Sequence, residues 1–169
     1  MPTDVTIPSQ ALPLLTPLGI DALRREGVTA PFNFGQADRV RFGELDVLDH
    51  VNNARYLTWF ETLRIAYFKS YGISRYQRGE ARPALVLKSV AVDYLAPMHL
   101  EEVYIVAGRT RAYRRTSFTM EYVVVSGGRL RASSEAVIVL MEPDAVTRKP
   151  LPDDYIGAFE ARDGAVFEG

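Results

Sequence analysis

The sequence predicts an α+β fold in which an antiparallel sheet of about five strands wraps around one long central helix. Three observations carry that prediction. Residues 53–71 keep apolar side chains over most of a helical circumference, and four segments after residue 84 are rich in β-branched and aromatic residues. The links between those segments are too short for parallel crossovers, which need a dozen or more residues. At 169 residues the chain fits one domain with a real core.

Residues 1–34 read as an N-terminal extension punctuated by Pro2, Pro8, Pro13 and Pro17, with a short helix over residues 20–26, and residues 35–169 as a single domain. Residues 39–43, within RVRFGE, alternate like a first strand. The connector LDVLDHVNN (45–53) follows, crowding two carboxylates, one of only two histidines and two asparagines into a few positions. Asn52 or Asn53 can cap the next helix by accepting a backbone N–H from its first turn. At 100° per residue, Tyr56, Phe60, Leu63, Tyr67 and Tyr71 share one face of that helix, opposite a narrow polar stripe of Arg55, Thr58, Thr62 and Lys69. A helix so widely apolar needs a surrounding wall. Gly72 ends it as the left-handed residue after the last turn. The wall comes from residues 84–95, 103–113, 117–125 and 130–141, joined by APMHLEE, RRT and SGGR, which imply antiparallel hairpins.

Composition excludes several classes of function. Lys plus Arg number 20 against 21 Asp plus Glu, so a net charge of −1 gives no field for nucleic acid or an anionic membrane. There is no cysteine, which removes thiol nucleophiles, disulfides and Cys-ligated metal centres and fits a reducing, cytoplasmic setting. No basic leader precedes an apolar run, and no window approaches the roughly 18 apolar residues of a spanning helix. The chain lacks G-x-S-x-G, a phosphate-binding P-loop and G-x-G-x-x-G, and its two histidines, His50 and His99, give no metal motif. Neither a metal nor a cofactor is expected.

The ordered series Asp46, His50-Val51-Asn52-Asn53, Tyr56-Leu57 and Phe60-Glu61 stands at the strand-to-helix junction, with RRTSFTMEY (114–122) and VIVLMEPDAVTRKPLP (137–152) further on. This series resembles the hotdog-fold acyl-CoA thioesterases, specifically the 4-hydroxybenzoyl-CoA thioesterase-like branch, over about Val40 to Pro152. The resemblance implies a homodimer or a dimer of dimers with sites between subunits. It implies Asp46 as the catalytic carboxylate, backbone amides at the helix start holding the thioester oxygen, and coenzyme A phosphates on basic side chains.

Thioester hydrolysis needs an activated oxygen and a donor for the developing oxyanion. Asp46 can serve as general base on water or as nucleophile, and the bare N–H groups of a helix N-terminus are a ready donor set. The alternative for Asp46 and Asp49 is turn or cap chemistry. His50 either bonds into the turn or orients the substrate. Asn53 is a cap, a loop tie or an amide near the carbonyl, and Tyr56 and Trp59 are core residues or the wall of an acyl slot. Glu61 either pairs with Arg64 three residues on or faces an active site. Arg109, Arg111, Arg114 and Arg115 gather around one hairpin, with Arg148 and Lys149 after the last strand. Arg114, Arg115, Arg148 and Lys149 are candidates to hold coenzyme A phosphates, against the reading of a solvated hairpin.

Two rival functions stay open. A hotdog acyl-CoA hydratase or dehydratase fits less well, because Leu48 stands where that pattern has Asn and His50 comes one residue early. Leu48 also departs from the plant acyl-carrier-protein thioesterases. A non-catalytic acyl-CoA-binding module would keep the dimer and lose turnover.

Overall fold

The computed structural model describes residues 11–169, so the first ten residues of the expected extension lie outside it. In chain order the elements are α1 (Ile20–Arg25), β1 (Phe34–Arg39), α2 (Asn53–Ser70), β2 (Ala84–Tyr94), β3 (Val103–Tyr113), β4 (Ser117–Ser126), β5 (Arg129–Met141), α3 (Asp153–Asp163) and β6 (Val166–Phe167). The sheet order is β1-β3-β4-β5-β2 with every neighbouring pair antiparallel. Two-residue β6 pairs parallel with β3 beyond the end of β1. The expected five-stranded antiparallel wall is therefore present, and α2 lies against it.

Burial follows the helical pattern. Tyr56, Phe60, Leu63, Tyr67 and Tyr71 are all buried, while Arg55, Thr58, Thr62 and Lys69 are exposed. The helix sits close to β3 because Gly108 has no side chain: a Cβ there would come 2.9 Å from Leu63 and 3.0 Å from Tyr122. The Asn52 side chain caps α2 by accepting the Ala54 N–H at 2.9 Å. At the other end Gly72 has φ of 74°, and the Ile73 N–H returns to the Phe68 carbonyl at 2.9 Å.

The sheet's opposite face has its own cover. Leu18, Leu23 and Val28, from α1 and its flanks, pack on Ala37, Ile105, Ala107 and Val125 to form a second small core. The Arg24 guanidinium fastens this segment by donating to the carbonyls of Val28 at 2.9 Å and Phe32 at 2.6 Å.

Two expectations are corrected. The first strand runs Phe34–Arg39, upstream of residues 39–43, and Phe42–Glu44 form a short 3-10 turn with Phe42 80% exposed. FGQADR hides its strand character because apart from Phe34 its residues are small or polar, with Phe34, Gln36 and Asp38 on one face and Gly35 and Ala37 on the other. It lacks the β-branched signature. Second, α3 follows Pro152, where only a closing turn was expected. It docks through Phe159 and through Asp163, whose Oδ2 accepts the Tyr67 hydroxyl at 2.5 Å and the Thr110 N–H at 2.9 Å, while Oδ1 accepts the Tyr71 hydroxyl at 2.5 Å. Burial raises the Asp163 carboxyl above its ordinary value despite these hydrogen bonds, and also pushes both tyrosines up.

Candidate active site

The connector between β1 and α2 folds into a closed turn. The Asp46 N–H donates to the His50 carbonyl at 2.8 Å, and Asp49 takes a left-handed φ of 60°, which an Asp tolerates. Within the turn, Asp46 Oδ1 accepts the N–H groups of Leu48 at 2.8 Å and His50 at 3.4 Å. Its Oδ2 has no hydrogen bond among the described residues. One oxygen therefore fixes the carboxylate and the other is free for chemistry.

Facing it is the start of α2. Of the first three amides, Ala54 is taken by the Asn52 side chain and Arg55 by the Asn52 carbonyl at 2.9 Å. The Asn53 N–H alone has no partner among the described residues. Asp46, His50, Asn53 and Tyr56 share one cavity of about 280 Å³, also lined by Tyr94 and residues 95–97. A helix-terminal N–H and a carboxylate oxygen, each without a partner among the described residues and carried by residues that line one cavity, suit a developing oxyanion.

Neighbouring groups hold this geometry. The Tyr94 hydroxyl donates to the Asn53 carbonyl at 3.0 Å, and its ring meets Tyr56 edge to face at 5.1 Å. Burial pushes the Tyr56 hydroxyl up to about 12, so it stays neutral near pH 7. The Val51 N–H donates to the Met98 carbonyl at 2.9 Å, tying the turn to the loop before β3. In that loop His99 lies edge to face with His50 at 5.1 Å, and Glu102 accepts both the His99 N–H and the ring Nδ1 at 2.9 Å. Burial pushes the Glu102 carboxyl up, but the hydrogen bonds from His99 and Ser126 and the charge of Arg131 outweigh it and hold the carboxyl below its ordinary value. Arg131 also donates to the Pro97 carbonyl at 3.0 Å. Tyr94, His99 and Glu102 escaped the sequence reading. Tyr94 carried a usable signal, since it closes a strand on its helix-facing side.

The other expected site residues fall elsewhere. Trp59 is a core residue, stacked on Tyr104 at 4.0 Å with its indole N–H on Glu44 at 2.8 Å, and does not line the cavity. Glu61 does not pair with Arg64, which instead donates to the Tyr122 hydroxyl at 3.0 Å. Glu61 lines a separate cavity of about 440 Å³ between α2 and β2. Arg114, Arg115, Arg148 and Lys149 are exposed and sit where β3 ends, whereas the Asp46 turn lies where β3 begins. That eleven-residue strand separates them by about 35 Å at roughly 3.3 Å per residue. Arg109 and Arg111 are neutralised on the sheet, Arg109 by Glu121 and Arg111 by Glu121, Glu135 and Glu168. Among the described residues, no helix is long and apolar enough to cross a membrane.

Residues 40–159 match the thioesterase-like superfamily. The chain belongs to this superfamily. A thioesterase-superfamily crystal structure from Jannaschia sp. CCS1 is 40% identical, with a TM-score of 0.84 over 92% of this chain and 98% of the other. A Thermus thermophilus thioesterase, solved with coenzyme A and zinc, is 33% identical with a TM-score of 0.70, covering 80% of this chain and 98% of that one. The acyl-CoA thioester hydrolase YbgC of Escherichia coli is 23% identical over 72% of this chain and 92% of its own length. The antiparallel sheet around one helix is the hotdog fold of these neighbours, and the chain is a thioester hydrolase by class.

Proposed function

We propose that this superfamily member hydrolyses acyl-CoA thioesters in the cytoplasm, with Asp46 as the catalytic carboxylate and the Asn53 N–H as the oxyanion donor. The observation that carries the reading is the pairing of an unbonded Asp46 Oδ2 with an unpartnered Asn53 amide on one cavity. Asp46 takes a proton from water as the water oxygen bonds to the thioester carbon. The carbonyl oxygen gathers negative charge against the Asn53 N–H, the C–S bond breaks, and the proton passes to the departing thiolate. His50, on the same cavity, orients the substrate. The coenzyme A bound in the Thermus relative supports the choice of carrier.

The working unit is a dimer. Among the described residues β2 pairs only with β5, which leaves its other edge bare, and Val86, Leu87, Val90, Tyr94 and Leu95 are exposed along it. A long apolar open edge invites pairing with a second strand. Two copies joined antiparallel along β2 about a two-fold axis bring the partner's far end of the sheet toward the Asp46 cavity. That arrangement returns Arg114, Arg115, Arg148 and Lys149 to service as phosphate ligands across the interface, and a dimer of dimers builds on the same unit.

The test is release of free thiol from acetyl-, medium-chain, long-chain and aromatic acyl-CoAs, with the assembly state followed by light scattering. Thiol release abolished by Asp46→Asn in a still-folded dimer supports the proposal. Binding without release by the native protein would make it a non-catalytic module.

A further inference from the structure

We propose that the groove between α2 and β2 is the acyl channel, and that it ends in a charged group of side chains selecting acyl chains whose far end carries an oxygen. This rests on the thioesterase reading above and adds the class of acyl group to it.

The proposed channel joins the two cavities along one side of α2. Asn53, Leu57 and Arg64 lie within about 40° of one another around the helix at 100° per residue, and β2 mirrors them. Tyr94 and Leu95 border the catalytic cavity, Leu87 and Leu85 border the 440 Å³ cavity, and Val90 and Val92 lie between on the same face. Leu57, Leu87 and Val90 are 42%, 43% and 36% exposed, so the apolar walls are present and none of the described residues fills the space between them. From Asn53 to Arg64 the helix rises about 16 Å at 1.5 Å per residue, the reach of a medium-length acyl chain. A second copy on the β2 edge closes the groove from outside.

The far end is not a hydrocarbon cap. Arg64 is half-buried and donates one N–H to Tyr122, itself 1% exposed, at 3.0 Å. That bond anchors the guanidinium in the cavity wall, and most of its five N–H donors remain unspent. Glu61, one turn earlier, has no hydrogen bond or ion pair among the described residues, and Arg82 lies over the Tyr76 ring at 5.9 Å. These groups line one cavity with Leu85, Leu87 and Phe68. A methyl-ended chain would desolvate the guanidinium without replacing its water, which is costly. An oxygen at the chain end accepts from Arg64. A hydroxyl also donates to Glu61, whereas a carboxylate draws on both arginines.

The test uses non-hydrolysable S-alkyl-CoA thioethers of matched medium length ending in methyl, hydroxyl or carboxylate, with affinities measured by calorimetry on the native protein. An oxygen-ended ligand is expected to bind about 10-fold tighter or more than the methyl-ended one, the scale of a hydrogen bond to a charged group. Arg64→Met equalises the three, and Arg64→Lys restores part of the preference. Glu61→Gln weakens the hydroxyl arm relative to the carboxylate arm, and Arg82→Gln does the reverse, both without touching the Tyr122 anchor. Equal binding by the native protein, or a preference surviving Arg64→Met, overturns the channel end. Thiol release from the matching acyl-CoAs is followed in parallel. Turnover without preference strikes the channel alone, and preference without turnover strikes the hydrolase alone.

Discussion

The two ends of α2 are built to opposite specifications. At its C-terminal end the buried polar groups are matched: Tyr67, Tyr71 and Thr110 converge on Asp163, and the chain closes over Gly72. At its N-terminal end one amide and one carboxylate oxygen, in residues that line a cavity, have no partner among the described residues. Stability is concentrated where nothing reacts. Because the helix is clamped at the far end, its first turn can hold an unspent donor in a fixed place, which is what charge development in a transition state requires.

The contrast is broken most strongly by Asp46→Asn. Losing a general base costs about 10²–10⁴ in rate, so kcat for acyl-CoA hydrolysis should fall by that factor while the melting temperature holds. Asp163→Ala is the converse lesion. It strands the Tyr71 hydroxyl and the Thr110 amide, leaves the Tyr67 hydroxyl with Thr110 Oγ1 alone, and should cost about 3 kcal/mol, read as a fall in Tm of roughly 6–12 °C, with kcat of the remaining folded enzyme little changed. Asn52→Ala removes the α2 cap and should cost about 1 kcal/mol, with faster hydrogen exchange at Ala54 reporting the loss.

The smallest effect is in pH. Asp163 is raised, so its contribution is fully present below its ordinary 3.8 and fades as pH rises through its folded value. Glu102 is lowered, so its contribution is present above its ordinary 4.5 and fades as pH falls. Melting curves between about pH 3 and 6 should therefore show the deficit of Asp163→Asn growing toward acid and that of Glu102→Gln shrinking. Parallel slopes for the two would refute the assignment.

The sheet and α2 were legible because their burial is periodic. Alternation set β3 to β5 within a residue or two, and the five buried positions of α2 are those its spacing places on one face. β1 was misplaced because a strand covered on both faces by Gly35, Gln36 and Ala37 loses that period, while RVRFGE imitates it. α3 went unread because DDYIGAFEARD is short and acidic with Gly157 inside, although its acidic first turn and Gly164 were start and stop signals. The Asp46 turn was legible from its motif. The role of Asp163 was not, since its partners Tyr67 and Tyr71 lie 96 and 92 residues away. The basic residues Arg114, Arg115, Arg148 and Lys149 do gather at one end of the sheet, but the length of β3 sets them far from the Asp46 turn within one protomer.

The small core under α1 constrains how copies can be stacked. Leu18, Leu23 and Val28 already roof the back of β1, β3 and β4. Two molecules therefore cannot lay those strands bare against each other.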